Sequence, residues 1–217
     1  MKGTTYNHVI ACLRTSRSSD PIVNLSILLH DIAKNKSTYK FINGKHSYHG
    51  HEGAGVPIVY EIGQRMKFPT KDIQIMAYCA ENHMRVHKIY DMSKSKIVAM
   101  VNHPFWPYLK EVGYADEMCR GFTHSNVDAF NEKIKYAEDL ANQFNQGRKP
   151  DALQQQLKQL LDGNKLMQWI PEIKQRENLP KMKQVMQIVY DQIVDSGTLE
   201  YSEDEVKEMA IAAYQKL

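Results

Sequence analysis

Residues that bind divalent metals and phosphate recur along this chain: His8, the adjacent pair His30-Asp31, His51, His83 and Asp116. Imidazole and carboxylate donors together suit Mn, Fe, Co, Ni or Mg. Such a metal binds a phosphoryl oxygen and lowers the pKa of a bound water, which supplies a nucleophile near neutral pH. The pair His30-Asp31 anchors the set. It closes the apolar run Leu25-Ser26-Ile27-Leu28-Leu29, and polar groups at the edge of a core are costly unless they are paired or bind a metal. Of nine histidines, His30, His46, His49, His51, His83 and His87 crowd into one stretch. On residue type and spacing alone, His87 competes with His83, and Asp128 with Asp116.

No single helix can bring these residues together, so separate elements must position them. Tyr6, Val9, Ile10 and Leu13 predict a helix over about 4–16, with His8 one turn before Cys12. Asp20-Pro21 is a helix start, with Asp20 as N-cap. The helix is expected to run through His30-Asp31 to about Lys34. Residues 35–50 read as a loop. Lys34, Lys36, Lys40 and Lys45 make it either a solvated basic loop or a phosphate-attracting rim.

His51-Glu52-Gly53-Ala54-Gly55 opens the next helix, and its small residues predict a close approach to a neighbour. Phe68-Pro69-Thr70 ends that helix and caps another that runs to His87. A shorter helix spans Ser93 to Val101, Pro104 and Pro107 break the chain around Phe105-Trp106, and helices follow at about 108–120 and 127–145. Gly147-Arg148-Lys149-Pro150 reads as a linker. Beyond it lie helical stretches at 151–161, 163–171 and 180–196, and Ser202 to Glu205 is a capping box for the last helix. Strand signals are nearly absent. The expected architecture is all-α: a helical bundle over 1–146 and a smaller C-terminal helical tail over 151–217.

Composition narrows the function. A chain of 217 residues with 42% hydrophobic residues can bury a sizeable core. A formal charge of +3 is too small for a strong electrostatic grip on nucleic acid without a partner. Cys12, Cys79 and Cys119 are widely spaced, odd in number and form no CxxC pair, so neither a zinc ribbon nor a disulfide framework is supported, and reduced, intracellular thiols are the simplest reading. The N-terminus has no apolar signal segment, and no apolar run reaches the roughly 20 residues that span a bilayer. A soluble, cytoplasmic protein is expected.

Four stretches taken in order carry a family resemblance: Leu28-Leu29-His30-Asp31-Ile32-Ala33-Lys34, His49-Gly50-His51-Glu52-Gly53-Ala54-Gly55-Val56, Asn82-His83-Met84-Arg85-Val86-His87, and Tyr114-Ala115-Asp116. Their order resembles the HD superfamily of metal-dependent phosphohydrolases. The closer resemblance is to the HD domain in the C-terminal half of bacterial tRNA nucleotidyltransferases (CCA-adding enzymes) and their poly(A) polymerase relatives. The tail from Asp162-Gly163 to Ala210 is similar to the region after that domain. Two departures stand out. No Gly-Ser and paired-aspartate polymerase site precedes the HD stretch, so an HD half standing alone, without CCA addition, is expected. The residues Cys119-Arg120-Gly121 after Asp116 depart from the family's usual register.

The resemblance implies an HD-domain helical bundle. It implies one or two divalent ions held by His8, His30, Asp31, His51, His83 and Asp116, with Asp31 central. It implies Lys34, Arg85 and Arg120 as phosphate contacts, and His87 or Glu52 as the proton donor to the leaving oxygen. The expected activity is metal-dependent hydrolysis of nucleotides or nucleotide-like phosphoesters: a nucleotidase or phosphodiesterase acting on 2′,3′-cyclic, 2′- or 5′-nucleoside phosphates. The alternative is a non-catalytic helical module that binds an RNA or tRNA end or a partner chain. Self-association is compatible with either.

Overall fold

The computed structural model of the chain describes residues 4–34, 39–42, 45–119, 123–146, 159–175, 177–196 and 201–217. Among these, ten α-helices dominate and one two-stranded sheet is present. The architecture is all-α. No helix among the described residues is long and apolar enough to cross a membrane. The chain divides into two compact units, Met1–Asp91 with Val101–Ala137, and Met92–Met100 with Glu138–Leu217.

The first unit holds the histidine-bearing helices. Helix α1 (Thr5–Thr15) starts at Thr4, whose hydroxyl accepts from the Asn7 N–H. Helix α2 (Pro21–Leu29) starts as expected at Asp20, whose carboxylate accepts from the Ile22 N–H at 2.7 Å. It ends five residues earlier than expected, at Leu29, with His30 as its C-cap. The ring Nδ1 of His30 engages the Ile27 carbonyl at 2.7 Å, the acceptor that a continuing helix would give to the Asp31 N–H. The chain then turns through bonds from Ile32 N–H to Leu29 O and from Lys34 N–H to Asp31 O.

The stretch expected to be loop contains a hairpin, with β1 (Lys40–Ile42) antiparallel to β2 (Lys45–Ser47). Asn43-Gly44 between two short runs is the sequence signal for it. Lys36 lies outside the described residues. Gly50 takes φ +78°, a conformation that favours glycine, and this turn sets His51 as the first residue of α3 (His51–Arg65). Helix α4 (Thr70–His87) follows, with Pro69 as its N-cap and no side-chain cap, so Thr70 does not cap it.

Helix α4 is the element on which the site is hung. It packs on α2, on α3 and on the helix that carries Asp116. Leu29, Val59, Ile73, Met76, Ala77 and Ala80 form one buried cluster across α2, α3 and α4, where each large aliphatic side chain contributes about 1.5–3 kcal/mol by leaving water. Of the small residues expected to allow a close approach, Gly55 lies against α4, where a Cβ would be 3.9 Å from Ala80 Cβ, and Gly53 faces open space; the approach is tighter at Gly63, where a Cβ would lie 2.6 Å from Ile73 Cγ1.

Helix α5 (Lys94–Val101) leads to α6 (Trp106–Met118). Pro107 sits in the first turn of α6 and does not break it, because the first turn needs no N–H from that position. Arg17 clamps Glu111 of α6 with bonds of 2.8 and 3.0 Å and lies 4.0 Å over the Tyr114 ring. The Thr15 hydroxyl donates to the Ala115 carbonyl at 3.2 Å. These contacts seat the end of α1 on α6. Helix α7 (His124–Gln146) crosses the boundary between the units.

In the second unit, α8 (Gly163–Trp169), α9 (Leu179–Ser196) and α10 (Glu203–Tyr214) enclose Leu166, Ile173, Val185, Val189, Ile193 and Val206. Asp162 caps α8, and Ser202 with Glu205 forms the expected capping box of α10. Asp195 caps α5 from a distance, accepting from the Ser95 N–H at 2.7 Å. Residues 147–150, expected as a linker, and most of 151–161 lie outside the described residues.

Candidate metal centre

Four helix ends and turns bring four imidazoles to one carboxylate. Asp31 is 1% exposed, in the turn after α2. Its Oδ2 lies 3.2 Å from His8 Nε2 and 3.3 Å from His30 Nε2. Its Oδ1 lies 3.2 Å from His51 Nε2 and 3.5 Å from His83 Nε2. On α6, Asp116 Oδ1 lies 3.2 Å from His8 Nε2 and 4.0 Å from His30 Nε2. The open choices are thereby resolved: Asp116 is at the cluster, whereas Asp128 is exposed on α7. His83 faces Asp31, and His87, one turn later, faces Asp116.

Three of the rings are oriented by the backbone. Nδ1 of His30, His51 and His83 lies 2.7, 2.7 and 2.8 Å from the carbonyls of Ile27, Tyr48 and Ala80, in each case three residues earlier. A carbonyl only accepts, so these Nδ1 atoms donate, and a neutral ring then presents a bare lone pair at Nε2. Those Nε2 atoms point at carboxylate oxygens and at each other, with His51 Nε2 3.2 Å from His83 Nε2. Facing lone pairs repel unless a cation or extra protons lie between them. His30 Nε2 and Asp31 Oδ1 are buried with no hydrogen-bond partner, which a buried polar group rarely tolerates. The donor atoms also meet the distance condition for an ion: His30, Asp31 and His83 form one group within 4.8 Å, and His8, Cys12, His30 and Asp116 another. The residues present fit a divalent metal, and outer hydrogen bonds of this kind are what fix metal-binding imidazoles.

The same crowding governs protonation. Hydrogen bonds to Asp116 and Asp31 raise His8 to about 11, against burial that opposes it. Burial by itself raises Asp31, but His30, His51, His8 and His83 crowd their Nε2 atoms around it, and protons carried there outweigh burial and hold the carboxylate far below its usual range. Asp116 behaves alike, with burial opposed by His8 and His87. Burial lowers His83. For His51, Asp31 overcomes burial and the net effect is upward.

The remaining candidates divide. Lys34 reaches the cluster, with Nζ 2.6 Å from Asp31 Oδ2. Glu52 adjoins it, with Oε2 buried, unpartnered and 3.4 Å from His51 Nδ1. His87 has both nitrogens engaged, Nε2 at 2.6 Å from Asp116 and Nδ1 at 2.7 Å from Glu117. It is thus placed to brace Asp116. Arg85 is exposed. It stands two residues from both His83 and His87, about 200° round the helix from each, so the structure does not bring it to the cluster. Arg120 lies outside the described residues.

Sequence reasoning missed Cys12, Cys119 and Glu117. Cys12 Sγ lies 3.6 Å from His8 Nε2, and Cys119 Sγ lies 3.3 Å from His8 Nδ1. The signal was present: each cysteine stands three or four residues after a ligand candidate, on the same helical face. Cys119 is lowered to about 5, chiefly by the Cys12 contact and then by His8, whereas the Cys12 thiol is pushed up.

A stretch of 105 residues is 24% identical to a multifunctional CCA protein of Shewanella denitrificans, covering 47% of this chain and 25% of that protein. The chain thus aligns with a quarter of its relative's length. No family model matches the chain, and no solved structure matches it. The similarity is distant, and it points to a region related to tRNA nucleotidyltransferases.

Proposed function

We propose that the cluster around Asp31 is the metal centre of an HD-type phosphohydrolase acting on nucleotides or nucleotide-like phosphoesters. One observation carries this reading: three backbone-oriented imidazoles converge their Nε2 atoms on one buried carboxylate, leaving His30 Nε2 and Asp31 Oδ1 unpartnered. His8 and Asp116 complete a donor set suited to one or two ions of Mn, Fe, Co, Ni or Mg.

A divalent ion held there supplies Lewis acidity and an acidified water. The chain's own residues do the rest. The carbonyls of Ile27, Tyr48 and Ala80 hold the imidazoles in the tautomer that binds metal. His87, itself held by Glu117, keeps Asp116 in place. Lys34, with its side chain 23% exposed, brings an ammonium to the phosphate at the rim. Glu52 is the candidate for carrying the proton to the leaving oxygen, because its buried Oε2 makes no hydrogen bond and lies beside His51. The distant similarity to a CCA protein supports a nucleotide or RNA-end substrate; we take the 2′,3′-cyclic, 2′- and 5′-phosphates as the classes to test, and the cytoplasm as the compartment.

The test is release of phosphate or nucleoside from 2′,3′-cyclic nucleotides, 2′-, 3′- and 5′-monophosphates and triphosphates. Each is assayed with Mg, Mn, Co and Ni beside Asp31→Ala. Hydrolysis of one class that vanishes in Asp31→Ala, together with bound metal, supports the proposal. Silence across the panel in protein that retains no metal overturns it, in favour of the second reading, an RNA-end-binding module, which the similarity to a CCA protein also suits.

A further inference from the structure

Cys12 on α1 and Cys119 at the end of α6 meet beside His8, with Sγ atoms 3.0 Å apart. Metal binding by imidazole and carboxylate requires neither. Cys12 is fully buried, whereas Cys119 is partly exposed and also lies 3.1 Å from the Asp116 carbonyl. The third thiol, Cys79, is buried within α4. One cysteine is therefore both open to solvent and in contact with a second thiol. The same sulfur touches His8 Nδ1 at 3.3 Å, on the ring whose Nε2 faces Asp31 and Asp116.

We propose that Cys119 and Cys12 are a peroxide-reactive thiol pair that closes to a disulfide and, in closing, loosens His8 from the metal centre. In the first step Cys119 gives up its proton and its sulfur attacks one oxygen of hydrogen peroxide. The O–O bond breaks, hydroxide leaves and takes up a proton as water, and Cys119 becomes a sulfenic acid. The Cys12 sulfur then attacks the Cys119 sulfur. The S–O bond breaks, a second water leaves with the Cys12 proton, and the S–S bond forms. Two thiols lose two electrons in all, and one peroxide becomes two waters. A resolving thiol already in contact favours this outcome over further oxidation of the sulfenic acid. The sulfurs close from 3.0 Å to about 2.05 Å.

Closure changes what His8 sees. A reduced sulfur beside Nδ1 holds the ring with Nε2 toward the carboxylates. A disulfide sulfur carries neither the proton nor the charge that makes that contact. Losing such an outer partner weakens metal binding about 10–100-fold. The effect on metal rests on the metal reading of the cluster; the cross-link does not.

The experiment uses the full chain with hydrogen peroxide as the probe, read by intact mass and by peptide mapping without reductant. The expected result is loss of two hydrogens, a peptide pair joining Cys12 to Cys119, reversal by dithiothreitol, and the same product in Cys79→Ala. Cys119→Ser should form no cross-link. Oxygen addition at Cys119 without a cross-link, or a cross-link that includes Cys79, overturns the pair. Mn and Co affinities of the reduced and oxidised forms are then compared. A 10–100-fold loss on oxidation, restored by dithiothreitol, supports the coupling to His8; equal affinities overturn it. Both readouts are independent of hydrolysis, so failure here is distinguishable from failure of the proposed activity.

Discussion

Gly113→Ala should be more damaging than its size suggests, and its cost can be worked from the packing of α6 on α4. A Cβ at Gly113 would lie 2.6 Å from Val86 Cγ1 and 2.9 Å from Val86 Cβ, whereas ordinary contact begins near 3.4 Å, so about 0.8 Å must open. Val86 is fully buried, and a β-branched side chain has little rotamer freedom in a helix. The helices themselves must therefore part. Overpacking of this kind costs about 1–3 kcal/mol, offset by about 1 kcal/mol for replacing a helical glycine with alanine. Gly53→Ala shares the second effect but meets nothing within 4 Å. The difference between the two variants isolates the clash at about 1–3 kcal/mol, which is about 2–12 °C in Tm for a chain of this size.

The damage should also reach the site. Gly113 is one turn before Asp116, and Val86 is next to His87, which holds it. Displacement of catalytic groups by about 1 Å can cost 100-fold in rate. Gly63→Ala controls for stability alone: its clash with Ile73 is as close, but Ile73 is ten residues from His83, about 15 Å along α4. The assay is thermal unfolding of the three variants, with Mn affinity and hydrolysis measured below the transition. If Gly113→Ala rises in Tm as Gly53→Ala does, the packing argument is wrong. If Gly63→Ala loses metal as severely as Gly113→Ala, the link from Val86 to the site is wrong.

Three other outcomes are expected. His87→Ala should weaken metal binding about 10–100-fold by releasing Asp116, as read by metal titration; unchanged affinity would refute the bracing role. Lys34→Ala should raise KM for a phosphoester while metal content stays unchanged; Arg85→Ala, being exposed and turned away, should change neither. The stability of chelator-treated protein should fall below about pH 3.8 and again above about pH 9. Asp31 and Asp116 are lowered, so their contribution is present above 3.8 and is lost as pH falls below it. His8 is raised, so its contribution is full below 6.5 and is lost as pH climbs to about 11, a loss that His51 shares. Cys119 is lowered to about 5, so its contribution grows as pH rises from 5 to 9 and offsets the His8 loss up to that point; above 9 the His8 loss is uncompensated and the raised Cys12 adds to it. Urea unfolding across this range checks the sign, and a rise in stability from pH 9 to 11 would contradict the placement of His8 between the two carboxylates.

What could be read from the residues was whatever is encoded within a turn or two of chain. Helical periodicity gave the all-α class, and Asp20 and Ser202 with Glu205 marked helix starts where they are found. The order of histidines and aspartates named a set that the structure brings together around Asp31. Other features depended on groups distant in sequence. Asp195, for one, caps a helix a hundred residues away. Arg85 and His87 look equivalent as letters two apart. Only the packing of α4 decided which one faces the site, because that depends on which side of the helix is buried. Cys12 and Cys119, 107 residues apart, became neighbours through the seating of α1 on α6. Chemistry could be nominated from residue types, but contact between them required long-range apolar packing, which local spacing does not encode.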